Sequence, residues 1–439
     1  MEKHIPILAG AGGVGLGESR TDHSGRKAIL LVREGDSAEL SALAATMGIE
    51  IVEEIYQPGR PDARGFFGKG RLQDVADDVS SIIDGHPWKG VDLVIIHSNA
   101  TAGQLVNIHN VVGIEIWDRV RLLLALFTSH ASSVEARTQV RIAQLQADRT
   151  ILREVANQQT SGERAGFGGG GQQALQGVIS TVSREIVQLG KRRAKHARAR
   201  GERRRQRRRG GARTVGLAGY TNSGKSSLFR VLSGKEVLVE DKLFSTLETT
   251  VGRMEASPRI LLADTIGFID ELPSDLLDAF NATLDEALKC DLLLLLADSS
   301  DDEVELRRKL ETSQREVFER TGDEPLEMIV VLTKSDKCGD LETCEEIIDS
   351  LSLPKPIHIS AHSGEGMDLL RDKILKSLYG EKRTIVISND GDRAVESIIS
   401  EVYGLGIVVD KTATEMTIWC DLSELTKLIS KTKGRISLK

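Results

Sequence analysis

The chain has 439 residues, of which 40% are hydrophobic and 28% charged, with a formal net charge of −7. That is too long for one ordinary core and too apolar for a disordered or fibrous chain, so two to four globular domains are expected. No apolar run approaches the ~18 residues of a membrane-spanning helix, and the start "MEKHIPILAGAGG" lacks the basic start, long apolar stretch and cleavage site of a secretory signal, so a cytoplasmic protein without a membrane partner is expected.

Residues 1–26 read as a flexible tail. Within it "GAGGVG", Gly10 to Gly15, has the GxGxxG spacing of a dinucleotide loop, but the polar "ESRTDHSGRK" follows where a helix is required, so no such site is assigned. Residues 27–118 alternate between strand and helix. "KAILLVRE", "IEIVEEIY", "VDLVIIHS" and "IEIW" read as strands, separated by the helical "SAELSALAATMG", "GKGRLQDVADDVSSIID" and "AGQLVNIHNVVG". That alternation predicts a parallel sheet with crossover helices, an N-terminal α/β domain.

From Arg119 to about Gln159 the pattern is long and helical, with apolar residues at spacings of three and four. A glycine-rich break, "TSGERAGFGGGG", is followed by a second long helix, "QQALQGVISTVSREIVQLGKRRAKHARARGERRRQRRR". Residues 119–212 therefore read as an αα-hairpin. Its second arm ends in the run Lys191–Arg213, with 13 Lys and Arg against one acid, Glu202, while the rest of the chain carries a net −19. Such density points to a polyanion, bound through its phosphates without reading sequence. The candidate RNA contacts are Arg203, Arg204, Arg205, Arg207, Arg208 and Arg209.

Residues 213–382 form a second α/β domain that carries the chemistry, and 383–439 a small α+β domain. "GYTNSGKS", Gly219 to Ser226, matches GxxxxGK[ST], after the strand-like "TVGLA" and before the helical "SLFRVLSG". In that context backbone amides and the helix N-terminus face a phosphate chain, Lys225 reaches the β- and γ-phosphates and Ser226 ligates Mg²⁺. Gly219, Tyr220, Thr221, Asn222, Ser223, Gly224 and Ser227 complete the candidate contacts of this loop. "RILLADTIGFI" ends a strand with Asp264, a carboxylate for the Mg²⁺ shell, followed by Thr265, Ile266 and Gly267, whose amide can bond the γ-phosphate. "MIVVLTKSD" brings Thr333, Lys334, Ser335 and Asp336; the Asp accepts from guanine N1 and N2 together, which adenine cannot satisfy. "IHISAHSGEGM" offers Ser360, Ala361 and His362 to back the base. Four cysteines, at 290, 338, 344 and 420, show no CxxC pair and read as reduced thiols.

The expected fold class is α/β: a P-loop GTPase domain, preceded by an α/β N-terminal domain with a long αα-hairpin and followed by a small α+β C-terminal domain. The order of these elements is that of a translation-factor-type GTPase. "GYTNSGKSSLF", "DKLFSTLETT" and "DTIGFI" closely resemble the HflX family of ribosome-associated GTPases, as do "PDARGFFGKGRLQDV" and "WDRVRLLLALFTSHASSVEARTQVRIAQLQ" in the N-terminal half. The resemblance implies GTP and GDP as ligands and the large ribosomal subunit and its RNA as partner, in separation or rescue of stalled ribosomes or in their assembly. It implies a second Mg²⁺ ligand in the mobile "LFSTLETT" segment. Thr246 is the candidate there, with Thr249 and Thr250 as rivals and Phe244, Ser245, Leu247 and Glu248 as further nucleotide contacts. It also allows ATP use.

This chain departs from the family at two points. Thr333 stands where an Asn usually reads the base, and the loop "TSGERAGFGGGGQQALQG" differs from the family's longer one. Phe268 occupies the place where many GTPases orient the attacking water with Gln; a phenyl ring makes no such hydrogen bond, so hydrolysis is expected to be slow until a large partner orders the switch segments. No general base is assigned: His130 and His196 read as helix residues. Asn222 is a candidate to hold K⁺ beside the phosphates. A monomer is the default expectation. The competing reading is a nucleotide-controlled adaptor for a protein or an acidic membrane, with hydrolysis as a timer.

Overall fold

The computed structural model describes residues 22–35, 37–80, 86–131, 133–161, 170–209, 211–234, 250–255, 259–264, 267–268, 288–322, 326–388, 393–412, 414–432 and 435–439. The described residues divide into two compact units, one up to Ala199 and one from Arg200 onward.

The first unit is built on a four-stranded parallel sheet, β1 (Lys27–Val32), β2 (Glu50–Tyr56), β3 (Val91–Ile96) and β4 (Glu115–Trp117), in the order β2-β1-β3-β4. The central β1 and β3 read "KAILLV" and "VDLVII" and are buried almost throughout, as parallel strands covered on both faces must be. The charged "EIVEEIY" of β2 lies at an edge. Crossovers are α1 (Ala38–Thr46), α2 (Lys69–Ser80) and α3 (Ala102–Val112). A capping box starts α3: the Thr101 hydroxyl accepts from the Gln104 amide while the Gln104 side chain accepts from the Thr101 amide, and Gly113, at φ 81°, ends it.

The helical stretch expected from Arg119 to about Gln159 is two helices, α4 (Arg119–His130) and α5 (Val134–Ser161). The break falls where Ala131 turns to extended backbone (φ −69°, ψ 99°) and the Ser133 hydroxyl accepts from the Ala136 amide, capping a new start. Periodicity continues across such a break, so spacing alone missed it. A buried ion pair, Arg121 Nη2 to Asp148 Oδ1 at 3.0 Å, ties the two helices together. From Gly170 a 40-residue helix, α6 (Gly170–Arg209), packs Leu175, Ile179 and Val182 against Leu145, Leu152 and Ala156 of α5. At 1.5 Å per residue it is about 60 Å long. Most of the expected glycine-rich break, residues 162–169, lies outside the described residues, as do residues 1–21 of the expected tail 1–26; its last residues are packed instead, with Arg26 buried and paired to Asp92 and Glu115 at 2.8 Å.

The second unit holds a six-stranded sheet in the order β10-β9-β8-β5-β7-β6. Its strands are β5 (Arg213–Gly219), β6 (Thr250–Glu255), β7 (Ile260–Asp264), β8 (Leu292–Asp298), β9 (Met328–Thr333) and β10 (Ile357–His358); all neighbours are parallel except β6 against β7. Helices α7 (Lys225–Ser233), α8 (Glu303–Thr321), α9 (Leu341–Ser350) and α10 (Met367–Tyr379) belong to it. The C-terminal segment adds an antiparallel sheet of β11 (Arg383–Ile387), β12 (Ile407–Lys411), β13 (Glu415–Trp419) and β14 (Ile436–Leu438), with helices α11 (Arg393–Leu405) and α12 (Leu422–Lys431). The three-residue β14 is too short to show a period in "RISLK" and was not expected from the sequence. Trp419 of β13 joins the apolar core of the six-stranded sheet, and Lys382 Nζ sits 5.0 Å from its ring centroid.

β8 is buried at every residue, with Leu294 fully enclosed at its middle. Truncating that side chain leaves a cavity in the sheet's centre. Leu294→Ala is therefore expected to lower stability by about 2–5 kcal/mol, read from chemical denaturation; a loss below about 1 kcal/mol would contradict this packing.

Candidate functional site

In a parallel sheet all carboxyl ends point to one edge, and loops at that edge form the binding crevice. β5, β7, β9 and β10 deliver their loops there. The first is the phosphate-loop candidate between β5 and α7. Gly219 adopts φ 148°, and a Cβ at that position would stand 2.3 Å from the Leu296 carbonyl oxygen and 2.8 Å from Ser223 Oγ, so only glycine fits. Asn222 at φ 62° and Gly224 at φ 82° continue the turn, with Asn222 exposed.

Lys225 is 6% exposed. Its ammonium donates to the carbonyls of Gly219 at 3.1 Å and Tyr220 at 2.6 Å, and lies 3.4 Å from Ser223 Oγ. Burial pushes its pKa down to about 8, opposed by the charge of Asp264. Ser226, one residue on, donates its hydroxyl to Asp264 Oδ2 at 3.0 Å. Asp264 ends β7 and is fully enclosed. A carboxylate and a hydroxyl held together are hard oxygen donors suited to Mg²⁺, so these two residues fit that ion. Thr250, a rival second ligand, starts β6 directly opposite Asp264 in the antiparallel register. Thr246 and Thr249 lie outside the described residues, as do Phe244, Ser245, Leu247, Glu248, Thr265 and Ile266.

The segment after Asp264 is bonded to the loop. The Phe268 amide donates to Gly219 O at 2.9 Å, and the Thr221 amide donates to Phe268 O at 2.9 Å. A Cβ on Gly267 would come within 2.7 Å of Lys225 Nζ and of Thr221 Cα. Phe268 itself is 3% exposed, so its ring is core packing while its backbone couples the two loops.

At the other end of the edge, Thr333 is buried. Its hydroxyl lies 3.0 Å from Ser223 O and 3.1 Å from Ala297 O, and with one proton it serves these two carbonyls in turn. The amide side chain absent here leaves a hydroxyl that ties the end of β9 to the phosphate loop. Lys334, at φ 57°, pairs with Asp298 Oδ2 at 2.5 Å. Asp336 is exposed, and a hydrogen bond from the Ser360 hydroxyl holds its carboxyl below the usual range, so it is a carboxylate at neutral pH. Ser360 is fully enclosed and its Oγ accepts from the amides of His362 and Ser363; Ala361 is partly and His362 largely exposed.

Sequence reasoning missed Asp298, although "LLLLLAD" ends a strand with an acid just as "ILLAD" does. It also missed Arg308, whose guanidinium lies 5.1 Å from the Tyr220 ring centroid and donates to its hydroxyl at 3.2 Å. No local spacing links α8 to the loop. Of the arginines in the basic run, Arg205 is exposed and lies 3.3 Å from Glu202; the side chains of Arg203, Arg204, Arg207, Arg208 and Arg209 lie outside what the structure describes. Among the described residues no helix is long and apolar enough to cross a membrane.

Residues 214–334 match the family described as 50S ribosome-binding GTPase, and residues 34–128 the one described as GTP-binding GTPase N-terminal. The chain is 34% identical over 356 residues to the GTPase HflX of Methanocaldococcus jannaschii, covering 80% of this chain and 85% of that protein. It is 33% identical over 419 residues to the GTPase HflX of Gluconacetobacter diazotrophicus, covering 94% and 88%. The chain belongs to the HflX family of GTPases. Among solved structures it resembles a GTP-binding protein from Sulfolobus solfataricus in complex with GDP, at 27% identity over 80% of this chain and 98% of that one, with a TM-score of 0.46, an overlap too loose to transfer geometry. As an HflX-family protein with a P-loop GTPase domain, the chain binds guanine nucleotide and hydrolyses GTP, and Mg²⁺ dependence is general to such GTPases.

Two expectations follow from this geometry. A triphosphate beside Lys225 stabilises its charged form, so its pKa rises on binding from about 8. Above pH 8 part of the free side chain is neutral and the bound one charged, so calorimetry in buffers of different ionisation enthalpy is expected to show net proton uptake on GTP binding; no uptake would contradict the buried ammonium. Replacing Thr333 by Val removes the hydroxyl between Ser223 O and Ala297 O, and is expected to weaken GDP binding about fivefold, with Thr333→Ser close to the parent. The dissociation rate of a fluorescent GDP checks it.

Proposed function

We propose that the chain docks on the large ribosomal subunit in its GTP form through the basic arm of α6, and leaves it when GTP is hydrolysed, in dissociation, rescue or assembly of ribosomes. The observation that carries this reading is positional. Twelve of the 13 basic residues of Lys191–Arg213 are carried by a helix that runs to Arg209, and the thirteenth, Arg213, starts the β5 strand that leads into the phosphate loop. Lys191, Arg192, Lys195, Arg198 and Arg205 are exposed along it, with few large apolar side chains among them, which suits phosphate contacts in RNA better than a lipid surface. The match of residues 214–334 to the family described as 50S ribosome-binding GTPase supports the same partner.

Within this reading the domains are 27–118, 119–212, 213–382 and 383–439. Lys225 and the loop amides hold the β- and γ-phosphates, Ser226 and Asp264 hold Mg²⁺, Thr246 completes its shell when the switch closes, and Asp336 reads guanine. Asn222, exposed on the loop, takes K⁺, and equal hydrolysis rates in K⁺ and Na⁺ would count against it. Phe268 supplies no polar group to the attacking water, so turnover by the free chain is slow and rises when the subunit orders the switch segments. The chain works as a cytoplasmic monomer.

Co-sedimentation with purified large subunits tests the partner. Binding is expected with a non-hydrolysable GTP analogue and not with GDP, and is expected to weaken more than about tenfold, with a shallower salt dependence, when Arg203, Arg204, Arg205, Arg207, Arg208 and Arg209 are changed to Gln. Unaltered binding by that variant would remove the arginines from the interface, and subunit-independent GTPase rates would favour an adaptor with another partner.

A further inference from the structure

Two of the four cysteines meet just behind the base-reading corner. Cys338 Sγ and Cys344 Sγ are 3.9 Å apart, van der Waals contact between two reduced thiols. Cys338 closes the short turn Ser335–Lys337, its amide donating to Ser335 O at 3.3 Å, two residues beyond Asp336. Cys344 sits on α9, capped by Asp340, and packs with Leu306, Leu310 and Ile347. The two are held unequally: Cys344 is 5% exposed on a regular helix, whereas Cys338 is partly exposed on a turn.

We propose that Cys338 and Cys344 form a peroxide-sensitive dithiol whose closure to a disulfide displaces the Asp336 turn and weakens guanine nucleotide binding. The inference rests on Asp336 as the reader of the base. In the first step the Cys338 thiolate attacks one oxygen of hydrogen peroxide; the O–O bond breaks, the leaving hydroxide takes a proton to become water, and Cys338 becomes a sulfenic acid. The Cys344 sulfur then attacks the Cys338 sulfur, the S–O bond breaks, and the departing oxygen leaves as a second water with the Cys344 proton. Two thiols and one peroxide thus give a disulfide and two waters, and a dithiol reductant reverses the change. Burial raises the Cys344 thiol above its ordinary range, so the first attack falls to the partly exposed Cys338.

Closing the 3.9 Å gap to a bond of about 2 Å draws the two sulfurs together by turning the side chains and shifting the backbone that yields. The helix holds Cys344, so the backbone shift falls on the turn. That turn has little slack, because Lys334 already stands at φ 57° and its side chain is fixed to Asp298. Asp336 lies between the fixed residue and the moving one, and its hydrogen bond from Ser360 is the contact at risk.

The intact chain, reduced, peroxide-treated and then re-reduced, tests this. Cys338 follows Lys337, and both thiols fall in one tryptic peptide, so the cross-link appears as a loss of two hydrogens from that peptide. The dissociation constant for fluorescent GDP is expected to rise about tenfold on oxidation and to recover with dithiothreitol. Cys338→Ser and Cys344→Ser are expected to bind GDP like the reduced parent and to ignore peroxide; because Cys338 is not fully buried, its variant serves should Cys344→Ser fail to fold. Absence of the cross-link, a dissociation constant within about twofold after it forms, or an equal peroxide response in Cys338→Ser overturns the proposal. A reduced chain that takes up no GDP sinks the reading of Asp336 instead, and the mapped peptide then still decides whether the thiols pair.

Discussion

An ammonium ion buried among backbone carbonyls is the constraint around which this molecule is arranged. In water Lys225 titrates near 10.5, and in the folded chain burial brings it to about 8. A folded value below the unfolded one means that the charge costs the free protein stability below pH 8, roughly 3 kcal/mol, a cost relieved as pH rises from 8 toward 10.5. The carbonyls of Gly219 and Tyr220 offset part of it. Under the proposed function, a triphosphate with several negative charges would satisfy the same ammonium far better. Strain in the free loop is thereby converted into affinity.

The rest of the sheet edge exists to keep that loop in shape and to report on it. Gly219 O receives both Lys225 Nζ and the Phe268 amide, so the loop and the segment after Asp264 share one acceptor. Ser223 O lies within reach of the Thr333 hydroxyl, which connects the loop to the end of β9. Ser226 is bonded to Asp264, the carboxylate proposed for the metal. Under the proposed function, a change in what occupies the loop would reach the segment after Asp264 and the end of β9 through these bonds of about 3 Å. Such coupling is what a nucleotide-controlled machine requires.

Much of this was legible in the residues because each signal is local. "GYTNSGKS" shows its glycines and lysine in eight positions, and the buried β-strands announce themselves as apolar runs ending in a polar residue. The family resemblance was carried by such stretches too. What escaped depends on contacts between distant segments. Nothing near Thr333 in sequence says that its hydroxyl faces Ser223, 110 residues earlier, and nothing near Tyr220 points to Arg308. The break between α4 and α5 was hidden because three- and four-residue spacing persists through Ala131 to Ser133. β14, three residues long, is defined by its pairing with β11 alone.

The proposed function depends on the phosphate loop holding a guanine nucleotide through Lys225 with a divalent ion at Ser226 and Asp264. Isothermal calorimetry of the intact chain with GTP, with and without Mg²⁺, beside a Lys225→Met variant shown to be folded by its circular dichroism, measures that most directly. Magnesium-dependent binding by the parent and its loss, by about a hundredfold or more, in the variant is the predicted result. Undiminished binding by Lys225→Met, or no magnesium-dependent uptake by the parent, would contradict it.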